Sequence, residues 1–162
     1  MVDVKVKGEA EADQENVPQA RLAARLTTKF LLRSLKLVSD LHDGEMLTAI
    51  IASAIVDANT ALIDSNLQPG GPYADLADPP PNEARRPVSV LAVADSLGLP
   101  FETVRRHVNR LIAAGWCVRV KGGVVMTTEA LLNPRNTAAV LANLRYLRRF
   151  LRELKRAGFS ME

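Results

Sequence analysis

The chain contains one cysteine, Cys117, and two histidines, His42 and His107, in 162 residues. A single thiol forms no internal disulfide, and these three side chains fall short of a zinc-ligand set, so no metal or other cofactor is expected. Cys117 itself reads as a small, half-buried apolar residue in a strand. No apolar run reaches the roughly 18 residues of a membrane span; the longest, from Ile50 to Val56, stops at Asp57. The start of the chain, Met1-Val2-Asp3-Val4-Lys5 followed by acids, lacks the basic head and apolar middle of a signal peptide, and a cytoplasmic location is expected. There is also no Ser-His-Asp spacing, phosphate loop or metal cluster, which argues against an enzyme.

What is present is the composition of a folded soluble protein, with 48% hydrophobic and 24% charged residues. The formal net charge of +3 conceals a segregation. Residues 1–20 carry −3, residues 21–68 carry zero, and residues 69–84 carry −3. Residues 85–133 carry +4 and residues 134–162 carry +5, so the C-terminal half holds a local excess of the kind that meets polyanions. Arginine supplies 15 of the 21 cations, and its guanidinium grips phosphate or a guanine edge with two parallel hydrogen bonds.

Residues 1–15 are acidic and lack apolar periodicity, which predicts a disordered tail. Residues 16–66 read as helical, with a packing or dimerisation role. Asn16 can cap and Pro18 suits the first turn of a helix through Leu22, Leu26, Phe30, Leu31, Leu35, Val38 and Leu41. After a break at His42-Asp43-Gly44, the residues Leu47, Ile50, Ile51, Ala54, Ile55, Ala58 and Leu62 keep the spacing of a buried helical face. Residues 67–87 hold six prolines, whose missing amide donors predict a connecting loop.

From Ser89 to Gly98 the pattern is a short capped helix ending at a glycine, followed by a corner at Leu99-Pro100. A second helix is predicted from Pro100 to Ala114, with Phe101, Val104, Val108, Leu111 and Ile112 inward and Gly115 ending it. Ala94 lets the two helices approach and Gly98 permits the turn. Trp116-Cys117-Val118-Arg119-Val120 then alternates like a strand, Lys121-Gly122-Gly123 can turn it, and Val124 to Thr127 would return.

The stretch from Val93 to Val108, with this hairpin after it, resembles the helix-turn-helix and short wing of bacterial winged-helix transcription regulators such as the MarR and IclR types. The resemblance covers about residues 86–132. It implies a mainly α fold with a small β-hairpin wing: a winged helix-turn-helix DNA-binding domain over 88–132, flanked by long N- and C-terminal helices. It also implies that the second helix enters the major groove of double-stranded DNA. His107 departs from the pattern, standing where such helices often carry an aliphatic residue, and reads as a partly buried, hydrogen-bonded histidine.

With Val104 and Val108 inward, helical geometry puts Glu102, Arg106, Asn109 and Ala113 outward, flanked by Thr103, Arg105 and Arg110. Arg106 is suited to guanine and Asn109 to adenine, while Thr103 and Arg105 suit phosphate or base contacts. Glu102 is four residues before Arg106 and is expected to pair with it in the free protein. Arg119 and Lys121 share one side of the first wing strand and are suited to phosphate or the minor groove.

The last helix, within residues 133–158, starts at Asn133-Pro134 and carries Val140, Leu144, Leu147, Leu151 and Leu154 as an apolar seam. Arg145, Arg148, Arg149, Arg152 and Arg156 gather on one flank, suited to DNA, an acidic protein surface or anionic lipid. By the MarR-like resemblance, helices from both ends of the chain build a homodimer, and an effector pocket lies between them and the winged helix, although no residue pattern names a small-molecule ligand. The expected function is sequence-specific DNA-binding regulation. The competing reading is a winged-helix module for protein or RNA, because the fold does not fix the function.

Overall fold

The computed structural model describes residues 17–64 and 71–159. The expected acidic tail over 1–15, the capping Asn16 and the first residues of the proline-rich stretch lie outside them. The described chain is mainly helical with one small antiparallel sheet. It divides into two compact units, one of Leu35–Ala142 and one drawn from Met1–Ser34 and Asn143–Glu162.

Helix α1 (Val17–Leu41) and helix α2 (Met46–Asp64) are separated by a corner in which Asp43 and Gly44 both take left-handed backbone angles. The Gly44 amide donates to the Ser39 carbonyl, which closes the end of α1. Helix α3 (Val90–Leu97) begins at Ser89, whose hydroxyl accepts from the Ala92 amide, and ends at Gly98 in the left-handed region. Pro100 leads into α4 (Phe101–Ala113). Strands β1 (Cys117–Val120) and β2 (Gly123–Met126) pair from Cys117 opposite Met126 to Val120 opposite Gly123.

Two helices follow, the first short and the second long. The α5 helix (Thr128–Leu132) is capped by the Thr127 hydroxyl, and α6 (Pro134–Arg156) ends before Gly158. The sequence reading missed α5, and it missed a single 3-10 turn at Asn82–Ala84 inside the proline-rich stretch.

The core of the larger unit joins Ile51 and Ile55 of α2, Val93 and Ala94 of α3, Val104, Val108 and Leu111 of α4, and Cys117, Val124 and Met126 of the hairpin. Each fully buried aliphatic side chain contributes roughly 1.5–3 kcal/mol. Helix α2 from Met46 to Ile63 is long and apolar enough to cross a membrane by length and composition alone, contrary to the expectation that no such run exists. Its polar residues are put to use inside the unit, however. Asn59 is buried, donates to the carbonyls of Arg86 and Val124, and accepts from the Met126 amide at 2.9 Å. Leu62, expected on the buried face, is 63% exposed.

A second buried polar residue secures the proline-rich stretch. The Arg85 guanidinium donates to the carbonyls of Met126 and Pro80, to Asn82 and to the Thr128 hydroxyl, while its Nε has no partner. Burial holds its pKa below the usual arginine value, opposed by Glu129 and Glu83. Val88 then bridges to Val124 through two backbone hydrogen bonds of 2.9 and 3.1 Å, adding a third short antiparallel edge. Gly123 makes that approach possible, because a Cβ there would lie 2.1 Å from the Val88 carbonyl oxygen.

In the smaller unit, Phe30 stacks on Phe150 with ring centroids 5.2 Å apart, Ser34 donates to Asn143, and Arg33 lies over the Tyr146 ring. None of its described side chains is fully buried. Leu31 is 50% and Leu144 39% exposed, and Leu22, Leu32 and Leu147 are exposed as well. Much of the apolar seam expected along α6 is therefore uncovered.

Candidate nucleic-acid interface

Helix α4 is strongly two-sided. Val104, His107, Val108 and Leu111 are buried against the core, which leaves Glu102, Arg105, Arg106, Asn109 and Arg110 exposed and Thr103 half-buried. Glu102 in the first turn and Arg110 in the last complement the helix dipole. Phe101 does not join the inward face as expected. It is 47% exposed at the start of the helix, a turn before the packed residues begin.

The charges of this face are not all free. Arg105 grips Glu102 with two hydrogen bonds, Nη2 to Oε1 at 2.6 Å and Nε to Oε2 at 2.8 Å. This bond holds the Glu102 carboxyl below the usual range and raises Arg105. The partner of Glu102 is thus Arg105, three residues on, and not the expected Arg106. The forked guanidinium satisfies both carboxylate oxygens from that position. Arg106 is left exposed, with no ion pair among the described residues.

Asn109 is bridged to the hairpin. Its side-chain oxygen accepts from Arg119 Nη2 at 2.8 Å. Reading adenine through both amide atoms would require Arg119 to let go of that oxygen. Lys121 is exposed at the hairpin tip. Arg110 leans the other way, toward Glu45 beyond the α1–α2 corner at 3.6 Å, and so stands apart from the outward face. The structure therefore groups Arg105, Arg106, Asn109 and Arg119 with Glu102, keeps Lys121 and Thr103 at the margin, and separates Arg110.

Behind the helix, His107 Nδ1 lies 2.8 Å from the Thr48 hydroxyl. Burial and then Arg110 lower its pKa, with Glu45 opposing. His42 packs its ring against Trp116, at 4.7 Å between centroids, and is likewise lowered chiefly by burial. His42, Trp116, Thr48, Glu45 and Arg110 border a cleft of about 170 Å³, below the range of about 300–1,000 Å³ usual for small-molecule sites. Cys117 is fully buried, not half-buried, and its thiol is pushed up to about 12 by desolvation, which leaves it protonated and inert. Among the described residues, no three His, Cys, Asp or Glu side chains converge as a metal site would require.

Sequence reasoning missed Asn59 and Arg85, which position the hairpin. Asn59 falls four residues after Ile55 on the buried face, a usable signal; an arginine before Arg86-Pro87 gives none. No protein family, curated sequence or solved structure matches the chain.

Proposed function

We propose that the chain is a cytoplasmic, non-enzymatic transcription regulator of winged helix-turn-helix type that binds double-stranded DNA sequence-specifically as a homodimer. The order of elements supports this reading: a core helix, the Val88 edge, two short helices joined through Gly98, and a hairpin. The observation that carries it is the division of α4. Its inner face is sealed, while Arg106 stands on the outer face with no ion pair among the described residues, beside a hairpin fastened to the helix through Asn109 and Arg119. That face offers a guanine-reading guanidinium and an adenine-reading amide on successive turns.

The smaller unit supports the homodimer. A pair of helices that fully buries none of its described side chains and leaves Leu31, Leu144 and Leu147 exposed needs another apolar surface, and a second copy supplies the matching one. Two reading helices would then address half-sites about 34–36 Å apart.

The test is selection of bound duplexes from a random pool. An enriched inverted repeat, with binding weakened by Arg106→Ala and by Asn109→Ala, is the expected result. Recovery of no motif at low salt would overturn the reading in favour of a protein- or RNA-binding module.

A further inference from the structure

Counting by sequence segment puts residues 21–68 at zero charge, but the five carboxylates of that stretch all lie beyond residue 39. The smaller unit takes only the cationic part. Over residues 17–34 and 143–159 it holds ten cations and a single carboxylate, Glu153. On α1, Arg21, Arg25, Lys29 and Arg33 recur every four residues and wind along one flank. On α6, Arg145, Arg149, Arg152 and Arg156 share a flank, while Leu144, Leu147 and Leu151 fall on the opposite one.

The two cationic flanks meet on the same side of the unit. Lys29, Arg33, Arg149 and Glu153 line one small cleft between the helices, and Arg149, Lys29 and Arg33 all draw down the Glu153 carboxyl, its hydrogen bond from Arg149 first. Next to it, Arg149, Arg152 and Arg156 line a larger concavity of about 370 Å³ with Glu153. Arg149 donates to Glu153 at 2.8 Å, and Glu153 is the one carboxylate among the described residues of the unit.

We infer that this face of the α1–α6 pair is a second polyanion-binding surface, which grips the phosphate backbone of nucleic acid duplexes without reading sequence. Among the described residues of the unit, ten cations stand with one acid, a strongly positive local field. From Arg145 to Arg156 the row extends about 16 Å, the length of several successive phosphates of one strand. Eight of the ten cations are arginines, whose planar fork takes a phosphate with two hydrogen bonds. An interfacial membrane helix would turn aromatic rings outward between its cations. Here Phe30 and Phe150 stack on each other and Tyr146 lies under Arg33, which favours nucleic acid over lipid. The inference concerns residues other than those of α4, so it stands or falls separately from the sequence-reading proposal.

The test uses the full chain and a random-sequence DNA duplex, with binding followed across salt concentration. In the variant Arg145→Gln/Arg152→Gln/Arg156→Gln, the slope of log affinity against log salt should fall by about 3, since each phosphate contact contributes about 0.9. The advantage of the unaltered protein should therefore shrink about 40-fold between roughly 50 and 200 mM salt. Any sequence preference should persist. Glu153→Gln, which releases Arg149, should act in the opposite direction and steepen the slope by about 1.

Should the triple variant lose its helical signal, Arg25→Gln/Lys29→Gln carries the test on the other helix, with an expected fall of about 2. Unchanged slopes would overturn the inference. So would binding to phosphatidylserine vesicles that depends on these arginines while duplex binding does not.

Discussion

The two units of the chain solve the problem of stability differently. The unit of Leu35–Ala142 seals Ile51, Ile55, Val93, Val104, Val108 and Val124 inside a core and settles its interior polar groups with Asn59 and Arg85. The unit formed by the chain's two ends has stacked rings and, among its described residues, one carboxylate, and it fully buries none of its described side chains. The lesson is that the first spends its apolar side chains on a sealed interior, while the second leaves many of its described ones at the surface. One of its flanks is apolar and suited to another copy; the other is cationic and suited to phosphate.

Breaking the interior of the larger unit should have the largest effect. Ile55→Ala is expected to cost about 2–5 kcal/mol, because it opens a cavity where α2, α4 and the hairpin meet; urea denaturation measures it. Asn59→Ala strands the Arg86 and Val124 carbonyls and the Met126 amide, and should cost about 1–3 kcal/mol by the same method. The end unit should respond in another currency. Leu31→Asp/Leu144→Asp is expected to convert a dimer to a monomer in analytical ultracentrifugation while the core's unfolding midpoint stays put; an unaltered protein that is already monomeric would remove the contrast.

Arg106→Ala should weaken binding to the selected duplex by about 1–3 kcal/mol and relax preference at one base pair. The smallest effect concerns pH. His107 and His42 are both held below the ordinary value of 6.5, chiefly by burial. The unfolded chain takes up protons there before the folded chain does, so stability is full above that pH and declines as the pH falls below it. His107→Gln should remove part of that decline, seen as a smaller difference between unfolding midpoints at pH 8 and pH 5.5.

Much of the larger unit could be read from the residues. Ser89, Gly98 and Gly115 punctuate α3 and α4 to within a residue, because caps and left-handed turns are local chemistry. The hairpin was legible from alternation around Lys121-Gly122-Gly123. What escaped depends on contacts between distant segments. Val88 becomes an edge only because Val124 arrives beside it, and Arg85 is buried only because Met126 and Pro80 offer carbonyls. Phe101 kept the inward spacing but precedes the packed turns. The cationic face of the end unit was hidden because its halves lie more than a hundred residues apart, and a count by segment averages each with unrelated neighbours.

The crowding at Gly123 has a mechanical corollary. With the Val88 carbonyl lodged where a side chain would begin, the proline-bearing connection is stitched to the return strand of the hairpin at one fixed register. Slack introduced upstream, by inserting or deleting residues between Gly71 and Pro80, should be absorbed before it reaches Arg85, and the hairpin's pose beside α4 should be indifferent to the connection's length. A Gly123→Ala change would undo that insulation, freeing the strand edge and letting movement in the connection reach Arg119.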